Sequence, residues 1–243
     1  MKLLTWNAWY KEEPENILEL LQKTEWDVCC LQEITLGFHS GTHKDVSNYL
    51  IESLGVSGHF VVAQSWNGGE RSQGNLILSR LPVKEKFSYF IQEYNNDPEP
   101  SFSDEGRVAV GIELQNSIKI ITTHMSYTSE FTETEKKNME SKKLLDYLAS
   151  ITGPFIIAGD LNAVPTSDLV TKLRSTYTNL SPDLSVPTWT TKPFSHEGFE
   201  VDTLLYRLDY VFGSKKIGAV SSKIINTEYS DHLPIITEIE VRN

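Results

Sequence analysis

Four short polar interruptions of apolar runs, spread from one end of the chain to the other, constrain this sequence most. They are Thr5-Trp6-Asn7, Leu31-Gln32-Glu33, Gly159-Asp160-Leu161-Asn162 and Ser230-Asp231-His232. Lys2 to Leu4, Val28 to Leu31 and Phe155 to Ala158 are short and mostly apolar, which is how strands covered on one or both faces read. Each interruption stands where such a strand should end. Ligand crevices in α/β architectures form at strand ends, so Asn, Glu, Asp and His delivered there by distant segments predict one site rather than scattered surface.

The side chains themselves narrow the chemistry. Glu33 and Asn7 are hard oxygen donors, and Asp231 can add a third. A divalent ion held by one or two carboxylates keeps waters and shares its remaining coordination with a substrate phosphate, which suits Mg²⁺ or Mn²⁺. Zinc would call for more His or Cys. The only cysteines, Cys29 and Cys30, are adjacent in a predicted strand and point to opposite faces, so they cannot chelate one ion together. Asp160 and Asn162 sit at i and i+2, and in extended geometry both face the same side. There an Asp can orient or deprotonate water while the amide donates to a phosphate oxygen. His232 supplies a titrating group, and Asp209, opening Asp209-Tyr-Val-Phe-Gly, is its candidate carboxylate partner. His124, at the end of Ile120-Ile-Thr-Thr-His, can stabilise phosphate charge as a cation or a donor. Arg107 and Asn75 precede further apolar runs and can line the same mouth as phosphate-binding groups.

With these residues in place the chain resembles the endonuclease/exonuclease/phosphatase superfamily, which spans deoxyribonuclease I-like and exonuclease III-like nucleases, sphingomyelinases, inositol-polyphosphate phosphatases, deadenylases and tyrosyl-DNA phosphodiesterases. The resemblance rests on Thr-Trp-Asn, Leu-Gln-Glu, Gly-Asn-Leu, Thr-His, Gly-Asp-Leu-Asn, Leu-Asp-Tyr-Val-Phe and Ser-Asp-His-Leu-Pro-Ile, in that order over almost the whole chain. It implies a metal site at Asn7 and Glu33 with Asp231 contributing. Asp160 and Asn162 then match the water-positioning and phosphate-binding pair, His232 the catalytic histidine held by Asp209, and His124 the phosphate-stabilising histidine. Glu105-Gly106-Arg107 is similar to a stretch of the exonuclease III-like branch. Which group is base and which is acid stays open. The implied activity is metal-dependent hydrolysis of phosphodiester or phosphomonoester bonds by in-line water attack. The alternative is a catalytically silent member that binds RNA or protein, against which the intact constellation argues.

Length and patterning agree with that fold. The 243 residues suffice for a single catalytic domain covering 1–243, with no composition break to divide it. Strand-like runs near 2–7, 28–32, 59–65, 75–80, 85–91, 107–114, 117–124, 155–159, 208–213, 217–225 and 233–241 alternate irregularly with helical periodicity at 14–25, 44–55, 131–151 and 166–175. In the third helix Leu144, Leu145, Leu148 and Ile151 form the predicted buried stripe. Successive strands without intervening helices require hairpins, so two packed mixed sheets flanked by helices, an α/β (α+β) four-layer sandwich, satisfy the pattern. Loops are predicted at 35–44, 66–74, 92–106 and 177–203. Trp66, Trp189, Phe194, Phe38 and His196 lie in loops able to reach the mouth, to stack on a base, sugar or tyrosyl group or simply to pack.

No apolar stretch approaches a membrane span, and the first strand starts too early for a cleavable leader, so no integral membrane segment is expected. Two adjacent cysteines make no disulfide framework, which favours a reducing, cytoplasmic setting, and a monomer is expected. The net charge of −11, with 22 basic and 33 acidic residues, disfavours long duplex DNA. A short nucleic-acid end or a small phosphodiester is the expected partner.

Overall fold

The computed structural model describes residues 1–94 and 105–242. Along the chain, β1 (Lys2–Asn7), α1 (Pro14–Lys23), β2 (Val28–Leu36), α2 (Val46–Leu54), β3 (Ser57–Trp66) and β4 (Arg71–Ser79) come first. Then follow β5 (Val83–Gln92), β6 (Arg107–Leu114), β7 (Lys119–His124), α3 (Glu135–Ser150), β8 (Phe155–Asp160) and α4 (Asp168–Thr176). The chain closes with β9 (Thr178–Asn179), β10 (Phe194–His196), β11 (Phe199–Val201), β12 (Asp209–Gly213), β13 (Ile217–Ile224) and β14 (Ile235–Val241).

Two six-stranded sheets result, ordered β13-β14-β1-β2-β4-β3 and β5-β6-β7-β8-β12-β9, with β10 and β11 forming a separate hairpin. Among the described residues only the pairs joined through a helix, β1 with β2 and β7 with β8, are parallel. A parallel pair needs a crossover, and the amphipathic α1 and α3 supply it. Pro14 opens α1 at a position whose missing N–H costs nothing, and Ile17, Leu20 and Leu21 are its buried face. Between the sheets lies an aliphatic core including Leu3, Val28, Cys30, Val110, Ile120, Ile156, Val211 and Ile235. Trp6, Cys29 and Leu31 face outward beneath α1 and α2, and Ile121, Ile157 and Phe212 pack beneath α3 and α4. The expected sandwich of four layers is therefore what the chain forms, with Cys29 and Cys30 on opposite faces of β2.

Element boundaries depart from the sequence expectation where pairing extends a strand. Residues 66–74 are not a long loop: Trp66 pairs with Arg71, so only 67–70 connect β3 to β4. β2 continues to Leu36 into the expected 35–44 loop, and 177–203 carries β9 and the β10–β11 hairpin. Of the expected loop 92–106, residues 95–104 lie outside the described residues. α3 starts later than periodicity implied, because the Thr134 side chain accepts from Lys137 N and caps it. Among the described residues no helix is long and apolar enough to cross a membrane.

The parallel pair β7–β8 approaches closely at Gly159. Its φ is 145°, and an added Cβ would lie 2.1 Å from the Thr123 carbonyl oxygen. Gly159→Ala is therefore expected to destabilise the protein by about 2–4 kcal/mol, read as a lowered urea midpoint with an unchanged m value. An unshifted midpoint would show that β7 can yield there.

Candidate active site

The register of the second sheet sets three polar residues in one row. His124 ends β7, Asp160 ends β8 and Asp209 starts β12, and Asp160 is the register partner of both others. From the first sheet β1 ends at Asn7, opposite Gln32 of β2. The two rows face each other at one end of the sandwich.

Glu33 reaches that floor by an irregularity. β2 slips against β4 between Leu31 and Ile34, and Glu33 has φ 60°. Regular alternation would turn Glu33 outward with Leu31, whereas the bulge re-aims it at the site and returns Ile34 to the outer core. Gln32 points inward, its Nε2 donating to Thr122 Oγ1 of the facing sheet at 2.7 Å.

Asp160 is the hub. Its Oδ2 accepts from Asn7 Nδ2 at 3.0 Å and lies 3.5 Å from His124 Nε2 and 3.6 Å from His232 Nε2. Its Oδ1 accepts from Asn162 N–H at 2.8 Å. His232 Nδ1 is 2.9 Å from Asp209 Oδ2, the pairing expected from sequence. Asn7 Nδ2 also donates to Glu33 Oε1 at 3.1 Å, while its Oδ1 accepts from Trp9 N–H. The sequence reading gave the Asn7 carbonyl oxygen to a cation. In the structure the amide nitrogen faces inward instead, because two buried carboxylates this close need a donor between them.

Asn162 does meet Asp160, but not through extended geometry. It sits in a left-handed turn with φ 46°, and its Nδ2 reaches Met125 O and His124 Nε2, each at 3.0 Å. A bond to Nε2 places the neutral ring's proton on Nδ1. Burial, with Arg107 and His232 adding to it, pulls the His124 imidazole well below the ordinary histidine range. Of its two expected forms, a cation or a donor, His124 is thus held in the neutral one. Burial also opposes charge on His232, but Asp209, Asp160 and Asp231 outweigh it and hold that ring well above the ordinary range. Burial pushes Glu33 up to about 7, with Asp231 adding to it. Asp160 rises to about 6, again chiefly through burial, with the Asp209 charge adding and His232 opposing.

These groups floor a cavity of about 360 Å³. Asp231 stands at its mouth, Oδ2 accepting from Trp189 Nε1 at 3.1 Å. Arg107 lines it too, 3.0 Å from Glu105 Oε2 and, through Nε, 3.0 Å from Ser126 Oγ. Trp9, Tyr10 and Lys11 flank one side, and Trp189, Phe194 and His196 also line it. Asn75 does not line the cavity. Its Nδ2 donates to Val108 O at 2.8 Å, pinning β4 to β6 across the sandwich, which replaces the expected phosphate contact with a structural one.

Sequence reasoning missed the brace behind the floor. Lys137, only 2% exposed, donates through Nζ to Asn162 O and to Thr128 Oγ1, and Glu140 accepts from Ser126 Oγ at 2.7 Å. Burial brings the Lys137 ammonium down to about 8, against the pull of Glu133, Asp160 and Glu140. A signal existed: stepping back seven residues from Leu144 along the buried stripe of α3 lands on Lys137.

Donor chemistry fits a hard divalent cation. Glu33 receives its hydrogen bonds from neutral donors, Asn7 Nδ2 and Tyr10 N–H, and its proton affinity is raised by burial beside Asp231, a cost that a dication would reverse. Asp160, Asp209 and His232 also offer ligand atoms within 4.8 Å of one another. The His232 Nδ1 to Asp209 contact, however, is that of a proton-holding pair.

Fold and site together define a two-sheet α/β sandwich with a carboxylate, amide and histidine centre at the strand ends. Residues 4–232 match the Endonuclease/Exonuclease/phosphatase family, and the chain belongs to it. No curated protein matches the sequence. Among solved structures, an endonuclease/exonuclease/phosphatase from Beutenbergia cavernae superposes with a TM-score of 0.77 at 18% identity, covering 100% of this chain and 72% of that one. The human Nocturnin catalytic domain with bound sulfate gives 0.68 at 21% identity, covering 99% and 93%. D. rerio TDP2 complexed with single-strand DNA product gives 0.71 at 13% identity, covering 99% of each chain.

Proposed function

We propose that the protein is a divalent-metal-dependent phosphoesterase, using Mg²⁺ or Mn²⁺, that hydrolyses phosphodiester or phosphomonoester bonds by direct attack of water. The observation that carries this reading is the Asp160 carboxylate, buried and shared by Asn7, Asn162, His124 and His232 at the floor of an open cavity. Glu33, with Asp231 at the rim, would hold the ion, which would supply Lewis-acid polarisation of the phosphoryl oxygens, while the Asn7 amide orients the Glu33 carboxylate. Asp160 orients the attacking water and takes up its proton. The Asn162 N–H now directed at His124 is the donor offered to a phosphate oxygen. His232, kept protonated by Asp209, presents its Nε2–H to charge developing in the transition state. No side chain forms a covalent phosphoenzyme in this scheme.

The test is turnover of a panel comprising bis(p-nitrophenyl) phosphate, p-nitrophenyl phosphate, a short single-stranded DNA, an abasic duplex, a tyrosyl-linked oligonucleotide and a sphingomyelin analogue, each with Mg²⁺, Mn²⁺ or EDTA. Metal-dependent hydrolysis that falls on the order of 10²-fold in Glu33→Gln is the expected result. Near wild-type rates for that variant with Mg²⁺ would sink the metal assignment. Silence throughout the panel, with tight binding of RNA or protein, would replace the enzyme by a binding module.

A further inference from the structure

The rim of the first sheet carries a row of rings that leads away from the catalytic floor. Tyr10 lines the cavity, Phe38 lies 6.1 Å from Tyr10, and Trp66 lies 6.0 Å from Phe38, measured between ring centroids. All three are half-buried. Two exposed cations lie over ring faces: Lys11 Nζ is 5.2 Å from the Tyr10 centroid and 5.4 Å from that of Trp9, and the Arg71 guanidinium carbon is 5.5 Å from that of Phe38.

Topology explains the alignment. Tyr10 follows β1, Phe38 follows β2, and Trp66 and Arg71 face each other where β3 turns into β4, while the strands run β1-β2-β4-β3 across the sheet. The ring sequence therefore crosses the strand ends in sheet order. Its outer part is locked. Gly37 has φ 74°, and a Cβ there would lie 1.9 Å from Glu70 O, so the loop bearing Phe38 is pressed against the turn between Trp66 and Arg71. Leu36 pairs with Ser72 just beneath. An acidic group also stands near this rim, Glu13 Oε2, 3.9 Å from His39 Nδ1.

We propose that this row is a binding track for single-stranded nucleic acid, whose bases lie on Tyr10, Phe38 and Trp66 while its phosphates meet Lys11 and Arg71. Flat apolar faces accept any base, and an extended strand presents its bases at a comparable, regular interval. Phe38 meets Tyr10 and Trp66 edge to face, at 72° and 79°, so the row offers faces and edges in alternation for bases to lie against. Two cations beside three rings also reconcile such a partner with a chain of net charge −11. Continuity with the cavity places the end of the bound strand at Asp160, so the track rests on the phosphoesterase reading and names its substrate class.

The experiment measures anisotropy of a short fluorescein-labelled oligothymidylate and oligouridylate in EDTA, so binding is read without turnover. Phe38→Ala and Trp66→Ala should each weaken binding by about fivefold or more, while Trp66→Phe, which keeps a ring, should stay within about twofold of wild type. Affinity of the wild type should fall about sevenfold between about 50 and 200 mM salt, as two phosphate contacts imply, and Arg71→Ala should about halve that salt slope. A labelled duplex of the same sequence should bind more weakly than the single strand. Equal affinities in wild type, Phe38→Ala and Arg71→Ala, or a preference for duplex, would overturn the track. Wild-type hydrolysis of bis(p-nitrophenyl) phosphate runs in parallel. Turnover without single-strand binding removes the track alone, and binding without any turnover removes the hydrolytic reading alone.

Discussion

Replacing Asp160 with Asn is expected to lower kcat by on the order of 10²–10⁴ while leaving the metal-free protein at least as stable at neutral pH. The activity loss follows from the hub geometry: the same carboxylate oxygen faces Asn7, His124 and His232, and an amide nitrogen there would confront the Asn7 N–H donor instead of accepting from it. The stability gain follows from burial. Burial pushes Asp160 up to about 6 in the folded chain, above the ordinary carboxylate range. A carboxyl with a raised folded pKa contributes stability below its unfolded pKa and loses it as pH rises through the folded one. At pH 7 the charge is thus carried at a cost on the order of 1–3 kcal/mol, which Asn does not bear. Parallel kcat and thermal-melt measurements check both halves. A variant that loses activity only because it melts early would show that Asp160 supports the fold rather than the chemistry.

Added Mg²⁺ is expected to raise the melting temperature by about 5–10 °C near pH 8 and by far less near pH 5. Glu33, at about 7, and Asp160, at about 6, are both raised by burial, so protonation stabilises the metal-free protein and the benefit disappears as pH climbs through 6 and 7. His232, held above its ordinary range, adds a term of the same sign, while His124, buried neutral, opposes it at low pH. A cation that engages Glu33 competes with the proton there, so its stabilisation grows in the window where protons leave. Saturation at about a hundred times the dissociation constant is worth about 2.7 kcal/mol, and a chain of this size gains about 2–4 °C for each of those. Calorimetry at both pH values, with EDTA as reference, decides the matter. Equal shifts at the two pH values would place the ion elsewhere.

Much of this site was legible because strand ends advertise themselves. Asp160, His124 and Asp209 each punctuate an apolar run, and one sheet register brings them together. The Asp209–His232 pair needed only a carboxylate and an imidazole of matching chemistry. What escaped depends on backbone detail that spacing does not encode. Glu33 was found by position, yet it reaches the floor only through a bulge that inverts its side. Asn162 was assigned by an i, i+2 rule that its left-handed turn does not obey. Asn75 read as a ligand because it opens an apolar run, but sheet stacking turns its amide toward Val108 O. Lys137 stands beside Lys136 in a charged stretch that offers no cue to burial, although the phase of its own helix buries it. The loop near Trp66 looked longer than it is because its polar composition masks two strands that keep pairing to the turn.

One feature of the topology bears on how the chain matures. β1 pairs with β2 on one side and with β14 on the other, so the first strand waits for a partner that follows every other element. His232 lies three residues before the start of that partner, and its carbonyl accepts from Trp6 Nε1 within β1. Until that pairing forms, the edge of β1 lies open and the segment bearing His232 has no partner strand. Closing that gap joins segments separated by nearly the whole chain, which is entropically the slowest kind of contact to make. Completing the first sheet and assembling the floor of the site are therefore coupled, because the pairing of β1 with β14 also fixes the segment that carries His232.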